Sequence, residues 1–283
     1  MEKGQETMKI LVLGGSGMLG YAVRKVLEQK DLHWTERQNA RMEADNVHNL
    51  QAVDMYAEAD FDLILRKINP KYVINCIGVI KPRMMDHIEA SIYTNAVFPH
   101  MLARLCKDRT KLIHITTDCV FSGKQGPYKE TAPHDALDEY GKTKSLGECA
   151  ADAMVIRTSI IGPEPYNKHS LISWVQKQQD QVVQGYTNHL WNGVTTFELA
   201  HVFQHIMKMD QWSPGLFHIH SPTAVNKYEL VRLICQRYSV RPKALNAIEA
   251  PGACDRRLAT NYSSFLDNLE IQEISDQILG LPV

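Results

Sequence analysis

The stretch KILVLGGSGMLGYAV, residues 9–23, decides the fold. Four apolar residues, Ile10 to Leu13, run into a cluster of glycines, and a helical pattern resumes at Leu19, Tyr21, Ala22 and Val23. A short apolar run of this kind reads as a buried strand, and the segment after it as a helix. Gly14, Gly17 and Gly20 stand three apart in the turn between them. One such glycine permits a sharp turn, one lets the backbone approach a pyrophosphate, and one lets the helix pack closely on the sheet. Gly14, Ser16, Gly17, Met18 and Leu19 then form a cradle. The free N–H groups and partial positive charge of a helix N-terminus suit phosphate there.

Outward from this turn, strand and helix alternate to about residue 160. KILVLG is followed by the helix pattern MLGYAVRKVLEQ and the strand LHWTER (32–37). AEADFDLILRKI reads as a helix, NPKYVINCIGVI as a turn and a buried strand, and IEASIYTNAVFPHMLARLCKD as a helix. KLIHITTDCVF, DEYGKTKSLGECAAD and AMVIRTSIIG continue the series as strand, helix and strand. Repeated strand–helix–strand units predict an α/β fold, a Rossmann-like doubly wound parallel sheet with helices on both faces. Near-continuous apolar strands agree, since such strands are buried on both sides. The expected division is a dinucleotide-binding domain over 1–160 and a smaller mixed α/β substrate-binding region over 161–283. Part of 185–225 is expected to return to the sheet. Helices are expected near 170–180, 196–209 and 226–238.

The 283 residues are 44% hydrophobic and 22% charged, which is ordinary globular usage with room for a sizeable core. A formal net charge of −1 speaks against a nucleic-acid partner. No apolar run has the roughly 18 residues of a membrane span. MEKGQETMK at the start is polar, without the apolar centre of a secretion signal, and reads as a short frayed leader. The six cysteines lack zinc-like spacing and several sit in apolar stretches, so they read as reduced core residues of a cytoplasmic protein.

An acid at the end of the second strand favours a free ribose 2′-hydroxyl, whereas an arginine favours a 2′-phosphate. Glu36 and Arg37 stand side by side there, pointing oppositely on a strand. Arg37, with Arg41 in reserve, is the candidate for a phosphate, and NADPH is the expected cofactor with NADH admissible. Asp54 is a candidate acceptor for the adenine amine.

Tyr140 and Lys144 are four apart in a helical segment and share a face. A phenol with a pKa near 10 is a poor acid at neutral pH. A lysine ammonium about 4 Å away, at an effective dielectric of 20, interacts with the phenolate by roughly 4 kcal/mol. That lowers the phenol's pKa by up to about 3 before desolvation opposes it. Thr116 and Thr117 end a buried strand, where ligands of parallel sheets bind. A hydroxyl there can hold a substrate carbonyl while Tyr140 donates its proton.

Gly14 to Gly20, NCIGVIK (75–81), TTDCVFSG (116–123), YGKTK (140–144), RTSIIG (157–162) and NGVTTFELA (192–200) together resemble the extended short-chain dehydrogenase/reductases. Within them the chain most resembles the dTDP-4-dehydrorhamnose reductase family, over about 9–240. The resemblance implies NADPH-dependent reduction of the 4-keto group of a nucleotide-linked 6-deoxy sugar. By position, Tyr140 is the acid, Lys144 tunes it and binds the nicotinamide ribose, and Thr117 orients the carbonyl with Thr116 beside it. Cys76, Ile77 and Gly78 line the cofactor, and Lys81 or Asn192 faces the sugar nucleotide. The sequence departs from the family at Cys119, usually aromatic, and at Ile160, usually tryptophan; both bear on which sugar is taken. The partner implied is a nucleotide-sugar substrate, with no nucleic acid and no membrane; a homodimer is admissible, and the sequence does not fix the oligomer.

Other features read as structural. His201 and His205 lack an acidic partner for metal binding, and none is expected. His218 and His220 alternate on a strand and are expected at the surface. Trp212 is expected to pack, while Trp191 is open to either packing or base stacking. Two other readings stay open: a nucleotide-sugar epimerase on the same scaffold, and a regulatory subunit resembling that of methionine adenosyltransferase. A 4,6-dehydratase is disfavoured, because Cys119 stands where that chemistry needs a glutamate.

Overall fold

Strand β1 (Lys9–Leu13) passes through the turn into α1 (Met18–Val26), and β2 (Asp31–Glu36) and β3 (Val47–Asn49) follow. Next come α2 (Glu58–Ile68), β4 (Tyr72–Asn75), α3 (Ile88–Ile92), α4 (Phe98–Cys106), β5 (Lys111–Thr117), α5 (Glu139–Leu146) and β6 (Met154–Thr158). This computed structural model describes residues 8–28, 30–36, 47–49, 58–166 and 168–283. The expected cofactor residues Arg37, Arg41 and Asp54 lie outside the described residues.

The second half supplies β7 (Ile160–Ile161), α6 (Leu171–Gln176), β8 (Val182–Tyr186), β9 (His189–Trp191), β10 (Val194–Thr195) and α7 (Thr196–Lys208). It continues with β11 (Gly215–His218), β12 (Val225–Asn226), α8 (Lys227–Arg237), β13 (Ala244–Ile248), β14 (Cys254–Asp255), α9 (Ser263–Asp267) and α10 (Ile274–Leu279).

The main sheet runs β3-β2-β1-β4-β5-β6-β11, and every pair in it is parallel. Alternation of side chains explains its two faces. Ile10, Val12, Tyr72 and Ile74 pack with Val23 of α1 and Phe203 and Ile206 of α7. Leu11, Leu13 and Val73 pack on the other side with Phe61 of α2 and Phe98 and Leu102 of α4. Strand order reverses between β1 and β4, which opens a crevice outside their carboxyl ends.

The second half also builds a smaller layer. β8 pairs with β13, while β9 lies between β12 and β14. Ile172, Val175, Val183, Leu230, Ile234 and Ile278 fill its core. Helix α8 starts with a reciprocal cap, the Asn226 side chain accepting from the Glu229 N–H and the Glu229 carboxylate from the Asn226 N–H. Residues 254–261 wedge between this layer and the sheet. The Arg256 Nε donates to the Phe121 carbonyl at 2.9 Å, and the backbone of Leu258 exchanges two hydrogen bonds with the Asn192 carboxamide. Thr260 and the Asn261 N–H both donate to Glu130. The Tyr128 N–H donates to the Arg257 carbonyl, under a stacked Phe121–Tyr128 ring pair 4.1 Å apart.

His218 is not at the surface. Because β11 pairs with β6 inside the main sheet, this imidazole is buried beside Arg157, itself fully buried. Arg157 donates from Nε and Nη2 to the two Glu148 oxygens at 2.9 and 2.6 Å. It also donates from Nη1 to His218 Nε2 at 2.8 Å and from Nη2 to His134 Nε2 at 2.6 Å. Since guanidinium can only donate, both histidines accept at Nε2 and carry their proton on Nδ1. Those protons go to the Ala259 carbonyl at 2.7 Å and the Ser145 hydroxyl at 2.6 Å. Trp212 packs as expected, its Nε1 donating to the Leu112 carbonyl at 2.8 Å, and Trp191 is buried in the second core.

Candidate active site

The glycine turn is built as its spacing predicts. Gly14 has φ +83°, a conformation that a side chain disfavours. Its N–H donates to Thr35 Oγ1 at 3.0 Å, and its carbonyl accepts from the Gly17 N–H at 3.0 Å. A Cβ on Gly20 would stand 2.1 Å from the Gly14 oxygen, so only glycine lets α1 lie this close to the turn. Gly17 caps α1 without a side-chain hydrogen bond, leaving the first N–H groups of the helix to face the cleft. The donor set and close backbone approach fit a dinucleotide pyrophosphate.

Glu36 departs from the simple reading of a ribose acceptor. It is 3% exposed, and its Oε1 accepts from Arg24 Nη1 at 2.7 Å and from the Trp34 Nε1 at 2.8 Å. The Arg24 guanidinium lies over the Trp34 ring at 4.2 Å. Much of the acid's charge is therefore cancelled within the protein.

One cleft of about 470 Å³ collects the loop ends of β1, β4, β5 and β6 together with α5. Gly14, Ser16, Gly17, Met18 and Leu19 line one end, and Cys76, Ile77 and Gly78 line the adjoining wall. Thr116, Thr117, Tyr140 and Lys144 line the other end. Cys119 and Ile160, the two departures from the family pattern, face the same space.

Tyr140 and Lys144 reach this wall because Asp138 caps α5, its carboxylate accepting from the Gly141 N–H at 3.0 Å. A Cβ on Gly141 would fall 2.5 Å from the Cys119 carbonyl, so the helix sits directly on the end of β5. Thr117 Oγ1 accepts from the Cys119 N–H and donates to Asp118 Oδ1, both at 3.1 Å. To hold a substrate oxygen, this hydroxyl must turn its proton away from Asp118. Burial pushes the Asp118 carboxyl up, opposed by the nearby Arg256 guanidinium.

The electrostatics correct one expectation. Burial raises the Tyr140 phenol above its ordinary value, with Cys119 adding to the rise and its contact with the Thr117 hydroxyl opposing it. The Lys144 Nζ donates to the Ile115 carbonyl at 3.0 Å. Burial holds the Lys144 ammonium down at about 8. Tyr140 is thus a firmly protonated acid, and the titrating member of the pair is the lysine.

Two expected substrate residues are placed elsewhere. Lys81 is exposed and pairs with Asp138 at 3.1 Å, tying the 3-10 turn Lys81–His87 to the start of α5. Asn192 spends both ends of its carboxamide on the backbone of Leu258 and does not line the cleft. Arg83, Ser159, Glu164 and His169 line it instead. Glu164 fixes the rim, its Oε2 accepting from the His169 and Ser170 N–H groups at 2.7 and 2.6 Å. No spacing in the sequence marks these loop residues. Among the described residues, no group of three His, Cys, Asp or Glu side chains is placed to hold a metal. No helix among them is long and apolar enough to cross a membrane.

Comparison with known proteins gives the family. The methionine adenosyltransferase 2 subunit beta of Danio rerio is 24% identical over 94% of this chain and 85% of its own length. The dTDP-4-keto-6-deoxy-D-glucose reductase of Streptomyces niveus is also 24% identical, over 91% of this chain and 88% of its own. A crystal structure of dTDP-4-dehydrorhamnose reductase from Bacillus anthracis in complex with NADP superposes with a TM-score of 0.78. It covers 96% of this chain and 97% of that one, at 15% identity. The RmlD substrate binding domain family matches residues 8–278, nearly the whole chain, and the protein belongs to that family.

Proposed function

We propose that the protein is an NADPH-dependent reductase of the 4-keto group of a nucleotide-linked 6-deoxy sugar, with NADH as a weaker substitute. The observation that carries this reading is the meeting of Thr117, Tyr140 and Lys144 in one cleft with the glycine turn. The curated relative named as a dTDP-4-keto-6-deoxy-D-glucose reductase supports the substrate class.

When bound, NADPH supplies the hydride. The N–H groups at the start of α1 hold the pyrophosphate, and the open face at Gly78 gives the cofactor room beside Lys144. Thr117 holds the substrate carbonyl oxygen through its hydroxyl. Tyr140 gives its proton to that oxygen as the carbon is reduced. The raised phenol keeps its proton at rest, and it becomes an efficient donor only as its pKa is drawn down toward working pH during the reaction. Charged Lys144 then stabilises the phenolate left behind. Cys119 and Ile160 leave space where the family carries aromatic rings, and they set the shape of the sugar pocket.

The deciding assay follows NADPH oxidation against a panel of 4-keto sugar nucleotides carrying dTDP or UDP, with product stereochemistry read by NMR. Turnover with one member supports the reading, and none with any member overturns it. The relatives named methionine adenosyltransferase 2 subunit beta favour a second reading, a regulatory subunit. Tight co-purification with a synthetase and no NADPH oxidation is the result that selects it.

A further inference from the structure

Two buried polar groups on strand β5 have no hydrogen-bond partner among the described residues: His114 Nε2 and Thr116 Oγ1. His114 is 0% and Thr116 3% exposed. They are two apart on one strand, so they share a face, the one on which Leu112 packs against α4. Between them lies Ile115, whose carbonyl accepts from Lys144 Nζ. The tautomer of His114 follows from its neighbours. Asn75 Oδ1 accepts from the Ile77 N–H, so Asn75 Nδ2 faces His114 Nδ1, at 3.1 Å. Nδ1 is therefore the acceptor, and the neutral ring carries its proton on the orphaned Nε2.

We infer that His114 and Thr116 hold one ordered water molecule against Lys144 and so keep the lysine charged during the reaction. The polarity closes. The water accepts from His114 Nε2–H and from a second Lys144 N–H, and it donates to Thr116 Oγ1. Three polar partners are what a buried water needs. The effect matters here because burial has brought the Lys144 ammonium down to about 8, within reach of working pH. A water that accepts from Nζ returns part of the solvation the ammonium lost. The groups facing His114 are Asn75 of β4, Lys144 of α5 and His100 of α4, and none supplies a counter-charge to a protonated ring. His114 therefore acts as a neutral donor, a positioning residue that works through Lys144. This inference rests on the reductase reading only for its catalytic consequence.

The test reads Lys144 directly, without substrate. The full-length protein with NADP+ carries lysine labelled with ¹³C at Cε, which keeps all three ammonium N–H groups, and the Lys144 resonance is titrated in wild type, His114→Leu, His114→Gln and Thr116→Val. His114→Leu and Thr116→Val are expected to lower the Lys144 midpoint by about one pH unit, the scale of one hydrogen bond to a charged group. His114→Gln, which keeps an N–H donor, restores it. The alkaline limb of kcat moves with the midpoint while KM for NADPH stays fixed. A crystal structure of the NADP+ complex shows the water within hydrogen-bond reach of all three side chains. Unchanged midpoints in the folded variants, or no water there, overturn the inference. Thr116→Val, nearly isosteric, carries the test if His114→Leu does not fold. Because the titration needs no turnover, its outcome stands apart from that of the sugar-nucleotide assay.

Discussion

Helix α5 has two polar neighbours built in opposite ways. On one side its Ser145 touches His134, part of the Arg157 cluster, where four guanidinium hydrogen bonds and both imidazoles are satisfied. On the other side Lys144 donates to the Ile115 carbonyl, between His114 and Thr116, whose buried Nε2 and Oγ1 have no partner among the described residues. Both regions bury charge, at some cost in solvation. The saturated cluster fixes the backbone of the helix. The unsaturated one leaves hydrogen-bonding capacity for something that is not protein. Buried polarity that closes on itself is structural, whereas buried polarity that stays open keeps capacity for a further partner.

Substitutions can break this contrast. The largest effect is expected at the open side: Tyr140→Phe should cut turnover by roughly 10²- to 10⁴-fold, the span of a direct proton donor. NADPH affinity by fluorescence titration should hardly change, and normal turnover would remove Tyr140 from the mechanism. At the closed side, Arg157→Ala leaves Glu148 buried without its partner and should cost about 3–5 kcal/mol in urea unfolding. A loss under about 1 kcal/mol would show that the cluster is not rigid.

The closed side should also sense acid. Burial beside Arg157 holds His218 down at about 4, and burial lowers His134 too. The unfolded chain binds these protons near 6.5 and the folded one does not, so stability falls as pH drops below 6.5. A loss on the order of 1–2 kcal/mol between pH 7 and 5 is expected for His218. It should shrink in His218→Gln. The smallest effect sharpens the contrast from the other direction. Lys144→Met removes a desolvated ammonium, so thermal stability should hold or rise by about 1 kcal/mol while turnover falls. In wild type, turnover should be flat up to pH near 8 and decline above it, as Lys144 loses its charge.

Much of the open side was legible before any coordinates. The glycine spacing placed the turn, and the four-residue interval put Tyr140 and Lys144 on one helix face. Strand-end logic put Thr117 beside them. These signals are local, and local periodicity survives folding. The errors came from contacts across the fold. His218 reads as a surface residue until the register of β11 on β6 sets it beside the buried Arg157. Asn192 resembles a substrate ligand, but Leu258, sixty-six positions away, takes both ends of its amide. The direction of the Tyr140 shift depended on burial, which spacing does not reveal. His114 and Arg157 passed unremarked for the same reason: their partners are set by strand register.

The segment 254–261 has a consequence for how this chain comes to exist. It reaches the Phe121 carbonyl, Tyr128 and Glu130, all of which leave the ribosome more than a hundred residues earlier. The loop that carries Asp118 and Cys119 toward α5 cannot close over its final neighbours until translation is nearly done. The strands before it can assemble in order as they emerge. The reactive wall is finished last, so a nascent chain halted near residue 250 would hold a formed nucleotide cradle beside an unmade catalytic edge.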